Sequence, residues 1–199
     1  MPNKEPVTPD LGERVTSWMP ILHEELEGGS DRACVISACA IVDHLLAQII
    51  KKFLLPHPKK GRNKNQDPLF DGTNPPLGSF SSRIDMAFRL GIIGHQLSEE
   101  LHRLRKIRNE FAHKFESVDL GEQKYLNKVN DIISSLKLEE KASALFGSPY
   151  DTARGRFIMC ILLIVTYLEH TSGQPSSLKR CIHDGVFDMR VEDSSCEGG

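Results

Sequence analysis

Leu97-Ser98-Glu99-Glu100-Leu101-His102-Arg103-Leu104-Arg105-Lys106-Ile107-Arg108-Asn109-Glu110-Phe111-Ala112-His113-Lys114-Phe115 decides the fold. Leu97, Leu101, Leu104, Phe111 and Phe115 recur at intervals of three, four and seven residues, which is one face of an α-helix. Ser98 stands where a capping residue is expected, with Glu99 and Glu100 in the first turn, where the helix dipole favours anions. Arg108 falls on the apolar stripe. A guanidinium there needs a carboxylate, a backbone carbonyl, an anionic ligand or a second subunit to offset its desolvation. Asn109 and His113 lie four residues apart and share a face, so they are expected to touch. Glu110 and Lys114 have the same spacing and read as a surface ion pair.

Upstream, Asp10 to Leu26 reads as a first helix with Leu11, Val15, Trp18, Leu22 and Leu26 on one face. Pro20 would kink it, and Gly28-Gly29 would stop it. Ser30 caps the next helix, from about Asp31 to Leu54. Its first half, Ala33 to Val42, is apolar and small almost all round, as in a helix packed on several sides. A long loop spans 55–77, where Lys59, Lys60, Arg62 and Lys64 follow Lys51 and Lys52 with no acid before Asp67. Such a stretch is either a solvated loop or a set of mobile cations for a phosphate backbone; Arg105, within a second basic cluster, joins these four lysines and arginines as a candidate nucleic-acid contact. A third helix should start near Ser79, bury Phe80, Ile84 and Phe88, and stop at Gly91.

Downstream, helices are expected from about Glu122 to Leu136 and from Glu139 to Phe146. Ser148-Pro149-Tyr150-Asp151 is a helix start, and the helix it opens should reach about His170. The expected class is all-α: a single-domain bundle of about six to seven helices over 10–171, with a flexible 1–9 and a partly disordered extension over 172–199.

The chain's 199 residues, 39% apolar and 26% charged, suit one soluble globular domain. A net charge of −2 gives no global field to attract nucleic acid. Five cysteines with no Cys-x-x-Cys pair read as free thiols in a reducing compartment. The opening residues lack the apolar core of a secretory signal, and the longest apolar run, Phe157 to Leu168, is too short to span a bilayer. The expected location is therefore the cytoplasm, away from membranes. The eight histidines are scattered, with no His-Glu-x-x-His, and Cys181-Ile182-His183 has no second half, so no metal is expected. No Walker loop or Gly-x-Gly-x-x-Gly follows a strand, so no cofactor is expected either.

Arg108-Asn109-x-x-x-His113 resembles the Arg-x4-6-His motif of the HEPN superfamily, small helical domains many of which are metal-independent ribonucleases. Pro76-Leu77-Gly78-Ser79-Phe80-Ser81-Ser82-Arg83-Ile84, running on to Leu90-Gly91-Ile92-Ile93, resembles more narrowly the mannitol operon repressor family. The likeness covers roughly residues 30 to 116. The first resemblance implies catalysis by Arg108, Asn109 and His113: histidine as general acid or base, arginine's fork on the phosphoryl oxygens, and asparagine orienting the histidine or holding a phosphate. Five residues along a helix turn by about 500 degrees, however, leaving Arg108 and His113 about 140 degrees apart. A helix bulge or a two-fold dimer would reunite them, and the resemblance implies the dimer. The alternative is structural, with Arg108 and Asn109 tying the helix to neighbouring backbone and His113 partly buried. No helix-turn-helix is evident. The leading expectation is a cytoplasmic, homodimeric regulator that acts through a protein partner; the alternative is an endoribonuclease acting on RNA.

Overall fold

The computed structural model describes residues 29–55, 66–114, 116–138 and 152–172. They form five helices: α1 (Asp31–Phe53), α2 (Phe80–Arg89), α3 (His95–His113), α4 (Gln123–Ser135) and α5 (Ala153–Ser172). No strand occurs among the described residues. The expected first helix, the cations Lys59, Lys60, Arg62 and Lys64, Phe115, the expected helix Glu139 to Phe146, the Ser148-Pro149 start and the extension beyond Ser172 lie outside them.

Side-chain caps begin the first two helices. Ala33 N donates to Ser30 Oγ at 3.2 Å, and at α2 Ser82 N donates to Ser79 Oγ at 3.1 Å while Ser79 N donates to Ser82 Oγ at 3.3 Å. The α2 stop is as read: Gly91 has φ of +70°, the left-handed conformation that only glycine adopts without a Cβ penalty. Phe88 departs from expectation, since it is 38% exposed while Phe80, Ile84 and Ala87 carry the buried face. A strict four-residue spacing drifts about 40 degrees per step, so the third member has left the stripe. The start of α3 also differs. Gly94 is its N-cap, and Ser98 is buried, its N–H donating to Gly94 O at 3.1 Å. Glu100 is likewise buried rather than solvated, its Oε2 lying 3.3 Å from Arg103 Nε.

Contacts at the helix ends set directions. Arg32, in the first turn of α1, donates to the carbonyls of Lys114 and Glu116 just past α3, so α1 and α3 are antiparallel. Gln96 near the start of α3 reaches Ser135 at the end of α4, so these two are antiparallel as well. Arg154 pairs with Asp31 at one end, and Lys52 donates to Ser172 O at the other, so α1 and α5 are parallel. The helices α1, α3, α4 and α5 form a ring in which each packs on the next, and α2 lies across α1 and α3.

By length and mean hydropathy α1 could cross a membrane. Here α2, α3 and α5 surround it, and Cys34, Val35, Val42, Leu46, Ile49 and Ile50 are fully buried. The later part of the expected loop packs against its end: Phe70 and Leu77 are buried, Leu77 N donates to Leu69 O at 2.7 Å, and Lys51 Nζ lies 4.5 Å from the Phe70 ring centroid.

Candidate functional site

The helix α3 runs without a bulge through the whole motif, so the angular separation of Arg108 and His113 persists. Arg108 is half-buried on the α1 side. Burial drives the Cys39 thiol far above its ordinary range, and the nearby Arg108 guanidinium opposes that shift. Arg108 Nη1 donates to Asn109 Oδ1 at 2.9 Å, so the asparagine oxygen serves its neighbour in sequence rather than His113. His113 is exposed, not partly buried, and is the last residue of the helix. Within one chain the three residues do not converge on one point.

Other residues build a polar junction of α1, α2 and α3. Arg83 Nη1 lies 2.8 Å from Asp43 Oδ2, and Arg83 Nε donates to Leu77 O at 2.8 Å. His102 Nε2 meets Asp85 Oδ1 at 3.0 Å along the α2–α3 edge. Asp43 Oδ1 and Arg105 Nε are both buried without a hydrogen bond. Arg105, half-buried and three residues before Arg108, lies on the same side of α3. Sequence reasoning missed Asp43 and Arg83. The available signal was Asp43 within the apolar run Ala40-Ile41-Val42-Asp43-His44-Leu45-Leu46, since an acid there needs a partner.

A second group gathers around Tyr125, which is fully buried and stacks tilted on Phe111 with ring centroids 4.7 Å apart. Lys114 Nζ donates to Tyr125 Oη at 3.1 Å, while Lys124 and Lys128 place their ammonium groups 4.6 and 5.6 Å from the ring centroid. Glu110 pairs with Lys128 at 2.5 Å, not with Lys114 as its spacing suggested. The hydrogen bond from Lys128 holds the Glu110 carboxyl below its ordinary range. Lys114 is held below the usual lysine range, chiefly by the neighbouring Lys124 ammonium.

A half-open groove of about 500 Å³ lies where the start of α3, the end of α4 and the last turns of α5 meet. Leu97, Leu136, Leu138, Leu163 and Tyr167 line it, with Tyr167 48% exposed. Its existence was not legible from any one helix. Among the described residues no set of three His, Cys, Asp or Glu side chains is placed to hold a metal ion.

No family model and no curated protein matches the chain. Among solved structures it resembles the MtlR of the MtlR–HPr complex from Escherichia coli, with 17% identity, coverage of 76% of this chain and 97% of that one, and a TM-score of 0.52. Identity at this level speaks for the fold and leaves residue roles to be argued from the site itself. The chain thus carries the all-helical MtlR fold, the one towards which its Pro-Leu-Gly helix start and Leu-Gly-Ile-Ile stop pointed.

Proposed function

We propose that this protein is a cytoplasmic regulator that acts by binding another protein, and that its partner is an HPr. The carrying observation is the fold shared with nearly the whole of MtlR, a protein crystallised with HPr. The regulatory role follows from the family resemblance of residues 30 to 116. Within one chain the site geometry supports this reading over RNA cleavage, which would need the two-fold dimer to bring Arg108 and His113 together. General acid–base catalysis needs its groups within hydrogen-bond reach of the reacting atoms, whereas Arg108 is half-buried and tied to Asn109 while His113 ends the helix in solvent.

Calorimetric titration of the purified protein with HPr, from Escherichia coli and from the protein's own host, tests the proposal. Saturable binding with a Kd of about 1 to 10 µM or tighter is expected; no heat and no co-elution at about 100 µM would overturn it. The same preparation, incubated with mixed RNA in EDTA, should release no products. Cleavage lost in His113→Ala with the melting curve unchanged would replace this reading with the ribonuclease. A homodimer belongs to the same proposal, and light scattering at twice the 22.3 kDa chain mass is its test.

A further inference from the structure

We propose that the junction of α1, α2 and α3 is an oxyanion site that takes a small phosphorylated molecule, bound by Arg105 and Arg108 beside the Arg83–Asp43 pair. This inference does not depend on the protein partner. The residues converge by helix register. Since α1 and α3 are antiparallel, with Arg32 donating to the Lys114 carbonyl, about three turns along α1 from Arg32 to Asp43 and about two and a half turns back along α3 from Lys114 to Arg105 reach a similar level, with Arg108 one turn away. Arg83 joins that level from α2 through its 2.8 Å contact with Asp43.

The charges at this level do not balance. Among the described residues neither Arg105 nor Arg108 pairs with a carboxylate, while Asp85 meets His102 and Asp43 is held by Arg83, whose side chain and that of Asp43 are only 15% and 23% exposed. Arg108 bonds to a neutral amide, and Arg105 Nε is buried without an acceptor. A bridging water would satisfy the orphaned nitrogen, yet it would leave the excess positive charge in a partly desolvated place. A phosphoryl group supplies both missing quantities, close to two negative charges and three acceptor oxygens matched to the arginine fork. Its oxygens would meet Arg105 and Arg108, and the Asn109 amide nitrogen offers a further donor because only its oxygen is engaged. The size of the ligand follows from burial. A polynucleotide contact requires exposed cations along a surface, whereas Arg105 and Arg108 are half-buried and Arg105 Nε is buried outright.

Thermal unfolding in inorganic phosphate, against chloride at equal ionic strength, provides the test. At about 10 mM phosphate the midpoint should rise by about 2 to 4 °C. Arg105→Gln should abolish that rise while leaving the midpoint in chloride within about 2 °C of the parent. Asp43→Asn, which removes the carboxylate competing with phosphate, should enlarge the rise. The proposal is overturned if phosphate produces no shift beyond chloride, or if the shift persists in Arg105→Gln. It is equally overturned if a single-stranded RNA oligonucleotide binds in an Arg105-dependent manner while inorganic phosphate has no effect.

Discussion

Glu110 accepts its hydrogen bond across the α3–α4 seam, from Lys128, because Lys114 one turn along is drawn off to the Tyr125 hydroxyl. With its folded pKa below the unfolded one, Glu110 contributes stability above the unfolded value, and that contribution is lost as pH falls through the folded value. Glu110→Gln should therefore lower the unfolding midpoint at neutral pH by the equivalent of about 0.2 to 1 kcal/mol, the scale of a solvent-accessible pair. The difference should shrink once pH falls below the ordinary glutamate range and vanish below the still lower folded value, which melting curves from about pH 7 into the acid range would check. Which residues are buried was legible here: Leu101, Leu104 and Phe111 are wholly inside. Which charges pair was not, because local spacing names partners on one helix and the structure draws them from neighbouring ones. Asp43 with Arg83 is another such pair, 40 residues apart in sequence.

Elements were legible to within a few residues wherever a cap or a glycine marked the end, as at Ser30, Ser79 and Gly91. Ser98 misled because a good capping residue was preceded by a helix start at Gly94 that has no side-chain cap. The direction in which helices pair rests on tertiary contacts, among which Asp31 is central. Its Oδ2 accepts from Leu120 N at 2.7 Å and its Oδ1 from Arg154 Nε at 2.7 Å, so one carboxylate joins the start of α1, the α3–α4 connection and the start of α5. Asp31→Ala should cost about 2 to 4 kcal/mol in urea unfolding, since two charge-assisted bonds go and Arg154 loses its carboxylate. Asp31→Asn, which keeps an acceptor without the charge, should recover part of that loss. An equal cost for both variants would assign the whole effect to charge.

At the scale of the whole molecule, the ring closes only when α5 returns to lie along α1 and α4. No local pattern encodes that closure. Helical periodicity is a property of each segment, whereas the pairing of α1 with α5 joins stretches separated by most of the described chain. The consequence concerns biogenesis. Ala153 lies 100 residues after Phe53, so at a synthesis rate of about 5 to 20 residues per second α1 waits about 5 to 20 s on the ribosome for the helix that completes its cover. Throughout that interval it presents the length and hydropathy of a membrane segment to every factor that surveys nascent chains. A chain ending at Leu138 should accordingly pass into the insoluble or membrane-associated fraction on expression, while the full chain stays in the supernatant; a soluble, cooperatively melting 1–138 fragment would show that α5 is not what hides α1. Newly made protein should depend on holding chaperones far more than mature protein does, a difference that pulse-labelling in a chaperone-depleted strain would measure.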